Sequence, residues 1–363
     1  MTSPGSDIHA VPQSHPPPHG RWMVRGVLVV TLAAAFALEL SLGSVMIPVK
    51  SVILTLAGND EVPEGWRQIV LLFRLPRAVT AMLGGAALGM AGLKMQTLFR
   101  NPLADPFVLG ISSGASLGVA LLVMGSWGLG GSALLEKAHV AGDLSLITAA
   151  TGGAVAVLSV VLAIARKVEN NLTLLIIGLM FGYISSSLVS ILMQFALEYQ
   201  MQSYITWTFG SFAGVTWRQM PLFALSVLAG LVVGWALAKP LNAFLLGERY
   251  ARSMGANVGS ARFWIILGSS LLAGSVTAFC GPIGFLGIAI PHLCRLLFRT
   301  SDHRTLVPGV ILLGAALALT ADVLTQVPGT GIVLPLNSVT SLLGAPVVVG
   351  VILHRRHIME AGS

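Results

Sequence analysis

Apolar runs of about twenty residues follow one another along almost the whole of this chain. The first extends from Met23 to Ile47 and the last ends near Leu353. A helix needs about 20 mostly apolar residues to cross a bilayer, and its backbone groups must be satisfied within the segment because lipid offers them no partner. Ten spans are predicted, over 24–47, 68–99, 107–127, 142–165, 171–195, 219–238, 262–280, 283–299, 306–326 and 335–353. Several are short or interrupted by Gly and Pro. That is tolerated where backbone is buried among other helices or lines a cavity.

Composition excludes the soluble alternatives. Only 10% of the 363 residues are charged and 55% are hydrophobic, against about 25% charged in a soluble domain. The expected fold is all-α and polytopic, with a disordered cytoplasmic tail over 1–22, a transmembrane domain over 23–357 and a short cytoplasmic tail over 358–363. The net charge of +7 is distributed in small clusters between the apolar runs. A nucleic-acid partner would require a basic face instead. Cys280 and Cys294 lie in apolar segments, which suits small buried side chains better than a disulfide framework.

The basic clusters set direction, since loops on the cytoplasmic side carry the excess of Lys and Arg. With the N-terminus inside, inner loops and tails hold Arg21, Arg25, Arg100, Arg166, Lys167, Lys239, Arg249, Arg252, Arg262, Arg295, Arg299, Arg304, Arg355 and Arg356. Outer loops hold only Lys50, Arg67, Lys137 and Arg218. Both termini are therefore expected in the cytoplasm. This assignment bears on "LLFRLPRAVTAMLGGAALG", Leu71 to Gly89, where two arginines flank Pro76. An arginine at the bilayer centre costs about 2.5–3.5 kcal/mol or more. The charge pattern places Arg74 and Arg77 near the outer end of the second span, where that cost falls. Gly85 and Gly89, and Gly178, Gly182 and Ser186, recur at the spacing that lets helices approach closely in lipid. Tyr199, Tyr204, Trp207 and Trp217 suit a short interfacial helix within 197–218.

The chain carries no sequence motif for catalysis. No lysine follows a glycine, so the phosphate-binding GxxxxGK[ST] loop is absent, as are HExxH, GxSxG and CxxC. Glu39 and Asp322 are the carboxylates placed deepest in apolar runs. They fit either a proton relay or a structural role such as bonding a neighbouring helix. His292 likewise reads as a hydrogen-bonded structural group or a ligand. Two inner stretches are unlike simple connectors. In "RNPLADPFVLGISSGASLG", Asp105 sits between two prolines in a tight turn. In "LLGERYARSMGANVGSARF", Glu248, Arg249 and Arg252 predict a short exposed helix stopped near Gly255. Such a segment reads as a solvated linker or as a docking surface for a cytoplasmic partner.

These stretches, with "WTFGSFAGVTW", "GPIGFLGIAIPHLCRLLFRTSDHRTLVPG", "ALALTADVL" and "LPLNSVTSLLGAP", resemble the FecCD family in order and spacing from Arg74 to the last span. Its members are permease subunits of ABC importers for ferric siderophores, haem and cobalamin. The resemblance implies a ten-helix subunit in a homodimer with the pathway on the dimer axis. It implies two cytoplasmic ATPase subunits below, carrying the ATP and Mg, and a periplasmic substrate-binding protein above, with no cofactor on this chain. Carried over by position, Arg74 and Arg77 would dock acidic groups of the binding protein. Leu246, Gly247, Glu248, Arg249, Ala251, Arg252, Met254 and Gly255 would form the ATPase-coupling helix. Asn170 and Asn171 would stand at the inner gate, and Met180, Tyr183, Ser187 and Gln194 would line the pathway.

Three positions depart from the family pattern. A cobalamin-transporting member has a further arginine where this chain has Gln326, and Val333 replaces a common acidic residue. Pro335-Leu336-Asn337 replaces Pro-x-Gly, which would put the Asn337 amide near the pathway. Besides the importer subunit, the sequence admits a stand-alone secondary transporter of a hydrophobic or metal-bearing solute, or a membrane scaffold. Its scarcity of buried acids argues against ion coupling.

Overall fold

The computed structural model describes residues 18–59, 61–124, 143–165, 167–168, 171–255, 257–327, 330 and 332–360, excepting the side chains of 18–20, 143, 171 and 351–360. The helices are α1 (Pro18–Ser41), α2 (Val49–Leu56), α3 (Glu64–Gln68), α4 (Leu75–Leu98), α5 (Ile111–Met124), α6 (Asp143–Ala165), α7 (Asn171–Gln194) and α8 (Glu198–Thr208). They continue as α9 (Met220–Ala236), α10 (Ala238–Leu245), α11 (Glu248–Ser253), α12 (Val258–Cys280), α13 (Leu286–Phe298), α14 (His303–Thr325) and α15 (Leu336–Glu360). Among the described residues the only β geometry is a single antiparallel bridge between Gln326 and Val333.

Six of these helices are long and apolar enough to cross a membrane, and the pair α9 and α10, bent by 53°, makes a seventh span if taken together. The other three expected spans fall on the shorter apolar helices Ile111–Met124, Leu286–Phe298 and Leu336–Gly350. Prolines and glycines ahead of α5 and α13 delay the starts of those two, whereas α15 itself is 25 residues long. Asp105 caps a 3-10 turn, Pro106–Leu109, by accepting the Phe107 N–H at 2.8 Å, so α5 starts late. Among the described residues α1 starts at Pro18 and α15 ends at Glu360.

The arginine-bearing stretch is locally unusual. Residues Glu64–Leu98 form one continuous helix, but Ile69–Arg74 is wound as a π-helix. Pro76 explains the widening. It has no N–H to offer the preceding turn, and the ladder relaxes so that the Leu75 N–H reaches back to Val70 O. The freed Leu71 carbonyl accepts the Trp217 indole N–H at 2.7 Å.

Helix α4 then enters the centre of the molecule. Every residue from Gly84 to Phe99 is buried, and α14, α12, α13, α9 and α1 surround it. Apart from Lys94, Gln96 and Thr97 this stretch is apolar on all sides, as such a position requires. Glycines set the distances: a Cβ at Gly85 would lie 2.1 Å from the Gly314 carbonyl oxygen, and one at Gly92 1.8 Å from that of Gly287. A second cluster gathers α5, α6 and α12, with Gly114 and Gly153 backbone to backbone. Helix α7 packs on α5 and, through Gly178, on Val108 and Leu109 of the 3-10 turn, and leaves a broad apolar face outward, including Leu172, Ile176, Ile184 and Ile191.

Candidate functional site

One end of the bundle, the one that the charge pattern assigns to the outside, is closed by four charged side chains drawn together from three helices. Arg77 of α4 forms a two-pronged pair with Asp322 of α14, Nε to Oδ2 at 2.7 Å and Nη2 to Oδ1 at 2.8 Å. Its Nη2 also donates to Thr325 Oγ1 at 3.2 Å. Glu39 of α1 is the second carboxylate on the same guanidinium, at 3.4 Å, and accepts the Gln326 amide at 2.8 Å. Arg74 closes the set from the π-wound turn, donating to the carbonyls of Leu40, at 2.8 Å, and Val45. It thereby satisfies backbone groups that the end of α1 leaves open. Two cations thus meet two buried anions, and α1, α4 and α14 are tied at one level.

This arrangement clarifies several sequence expectations. Asp322 bonds a neighbouring helix, one of its two admitted roles, and Glu39 does the same. Arg74 and Arg77, the expected docking residues, make these hydrogen bonds to partners within this chain. Gln326, where a relative has arginine, holds Glu39. Asn337, expected beside a pathway, is engaged in a clamp. Its Oδ1 accepts the Gly284 N–H at 2.8 Å, its Nδ2 reaches Thr208 O at 3.2 Å, and its own N–H reaches Phe209 O at 3.1 Å. Glu39 and Asp322, which the sequence marked only as acids in apolar runs, are the partners of Arg77.

The opposite end, which the charge pattern assigns to the inside, carries a hydrogen-bonded joint that no motif announced. Asn242 of α10 donates to Asp302 Oδ1 at 2.7 Å, which fixes the orientation of its amide. Its Oδ1 then accepts both the backbone N–H and the Nδ1 of His303, each at 2.8 Å. On the other side of the ring, Nε2 lies 2.8 Å from Thr97 Oγ1 of α4. Burial works to raise the Asp302 carboxyl. The bonds from Asn242, the Arg304 N–H and Thr305, with the Arg304 charge, outweigh it and hold the group below the usual carboxylate range. Nearby, Arg295 donates to Gln96 Oε1 at 2.6 Å and Gln96 donates to Ile288 O at 3.1 Å. Helix α10 is thus fastened to the inner ends of α14 and α4.

Helix α11 follows immediately. Its entry and exit need left-handed or otherwise positive φ, supplied by Gly247 at +104° and Gly255 at +82°. Gly255 stops the helix as expected. Ala251 is buried, whereas Leu246, Tyr250 and Met254 stand 62%, 49% and 63% exposed. Arg249 and Arg252 are exposed beside them. Met180, Tyr183, Ser187 and Gln194 all lie on the exposed face of α7, at the spacing of one helical stripe. Asn170 and the Asn171 side chain lie outside the described residues. Sequence reading also passed over Lys94. It is fully buried in α4, its Nζ has no hydrogen-bond partner among the described residues, and a Cβ at Gly268 would come within 2.9 Å of it. A lysine inside the apolar run "AGLKMQ" was the available signal.

Comparison with known proteins agrees with this architecture. The model of the FecCD transport family matches residues 31–355. The chain belongs to that family. It is 34% identical over 318 residues to the hemin transport system permease protein HmuU of Yersinia pestis, covering 87% of this chain and 92% of the relative. It is 34% identical over 333 residues to the vitamin B12 import system permease protein BtuC of Salmonella paratyphi A, covering 92% and 95%. An inward-facing ABC transporter assigned to the metal-chelate type superposes with a TM-score of 0.78 at 27% identity, covering 92% of this chain and 99% of that one. This FecCD chain is a multi-pass, all-helical permease of the bacterial inner membrane. Membership implies ATPase and substrate-binding partners and makes the chain a transport subunit.

Proposed function

We propose that this chain is the membrane subunit of an ATP-driven importer. It moves a bulky metal chelate of the ferric-siderophore, haem or cobalamin class from periplasm to cytoplasm. Two copies form the pathway between their α7 faces, with Met180, Tyr183, Ser187, Gln194 and Asn337 near it and Asn170 and Asn171 at its inner gate. Two ATPase subunits, holding ATP and Mg, seat against Leu246–Gly255. A substrate-binding protein docks over the outer rim around Arg74 and Arg77, and exposed Lys50 and Arg218 add positive charge there. Both termini lie in the cytoplasm, and the chain itself holds no cofactor.

The observation that carries this reading is α11. An aqueous connector has no reason to present Leu246, Tyr250 and Met254 to solvent unless a partner covers them. The stand-alone transporter is disfavoured by the outer cluster. Its two buried carboxylates, the groups a proton relay would use, are held by Arg77. The test is reconstitution in liposomes with haemin and cobalamin as probes. Uptake is expected only when the partner ATPase and ATP are both present. Uptake by this chain alone under a proton gradient would overturn the reading.

The inner joint gives a separate expectation. Replacing Asn242 with Leu removes the link from α10 to His303 and Asp302 without altering the exposed residues of α11. ATPase association should persist, while ATP-dependent uptake falls about 5–150-fold, the span of a typical coupling energy. Uptake at the wild-type rate would show that the joint transmits nothing.

A further inference from the structure

The notch where α9 bends into α10 has no part in the reading above. Helix α9 presents Leu222, Leu225, Leu228, Val232 and Trp235 outward, each more than half exposed. Their spacing of three and four residues makes one apolar track along the helix. At its foot the chain turns by 53° into α10, and α14 starts alongside. Trp235, Ala236, Ala238 and Lys239 there enclose a cavity of about 510 Å³ with Arg304 and Val307.

Ala238 and Val307 are buried and form the floor, whereas Lys239 and Arg304 are exposed. No carboxylate lines the cavity. Neither cation has an ion-pair partner among the described residues. The acid beside Arg304 in sequence, Asp302, has its oxygens engaged by Asn242, the Arg304 N–H and Thr305.

We infer that this notch binds the headgroup phosphate of an anionic glycerophospholipid, whose acyl chains lie along the α9 track. Two cations in a lining that contains no acid select a negative ligand. The tryptophan is the side chain that settles at the depth of lipid headgroups. The apolar track identifies the source of the phosphate. A soluble anion gains nothing from exposed Leu225, Leu228 and Val232, whereas a lipid anion arrives with chains that cover them. Basic pockets between membrane helices are a known means of holding such headgroups. The inference requires only that the chain lies in a bilayer, so it stands or falls independently of the importer reading.

Native mass spectrometry of the purified full-length chain, titrated with phosphatidylglycerol or phosphatidylcholine in mixed micelles, tests it. Phosphatidylglycerol should bind at least tenfold more tightly than phosphatidylcholine. The Lys239→Gln/Arg304→Gln double variant should weaken phosphatidylglycerol roughly 30-fold, about fivefold per cation, and leave phosphatidylcholine unchanged. Both residues are exposed, so the variant retains the core. A Lys50→Gln/Arg218→Gln control should bind like the wild type. The inference is overturned if the two lipids bind alike, if the double variant retains phosphatidylglycerol, or if the control loses it equally. Displacement of the lipid by millimolar inorganic phosphate would also overturn it, because the site would then be one for soluble anions.

Discussion

Replacing Arg77 with Met destabilises the folded protein by about 3–5 kcal/mol, the cost of stranding a buried partner charge. The geometry explains why a single side chain carries so much. Arg77 holds Asp322 through two short bonds and Glu39 at 3.4 Å, and its own side chain is only 14% exposed. Without the guanidinium, two carboxylates face each other in a region that water hardly reaches. The same argument predicts a rescue. Adding Glu39→Gln and Asp322→Asn to Arg77→Met removes the uncompensated charge and should restore most of the loss, because neutral groups of similar shape are far cheaper to bury. Thermal unfolding of the purified proteins measures both effects. An Arg77→Met variant that unfolds at the wild-type temperature would show that the cluster contributes little. The cluster also constrains the docking role proposed for Arg74 and Arg77, since a binding protein must compete with Asp322 and Glu39 for the same guanidinium. Arg77→Lys is therefore the informative docking variant. It keeps the charge inside and loses the planar fork.

What the sequence disclosed, and what it withheld, follows from how each feature is encoded. The all-helical, multi-span class was legible because bilayer crossing leaves a long one-dimensional signature. The short exposed helix stopped at Gly255 was legible because glycine chemistry is local. The outer cluster was legible only in part. Arg74, Arg77, Glu39 and Asp322 each stood out as charges in apolar runs, but their pairing spans 245 residues between Arg77 and Asp322, and no local pattern encodes it. The inner joint was not visible, because Asn242, His303 and Thr97 are ordinary polar residues until the fold stacks them. The π-wound turn at Ile69–Arg74 was not foreseen, although Pro76 marked its place. Its actual consequence is a freed carbonyl that Trp217 takes up.

The second large effect lies at the opposite end, on α11. Substituting Tyr250 and Met254 together with Ala should lower the affinity for the ATPase by about 30-fold or more, since truncating a buried anchor at an interface typically costs at least 2 kcal/mol. Both side chains project from the described surface, Tyr250 49% and Met254 63% exposed, while Ala251 on the same short helix is buried and holds α11 against the bundle. Removing the two outward side chains should therefore leave the fold intact and strip the contact alone. Arg249 and Arg252 flank them and should govern association rate and its salt dependence more than the final affinity. The measurement is co-purification of the ATPase with the membrane subunit, read beside thermal stability. Loss of the ATPase from a variant as stable as wild type places the interface on α11. An intact complex would leave these exposed apolar side chains without a partner and remove the observation on which the importer reading chiefly rests. Asn242→Leu completes the comparison. It should retain the ATPase and lose transport, whereas the Tyr250 and Met254 variant should lose both, so that attachment and transmission are resolved as separate functions of adjoining residues.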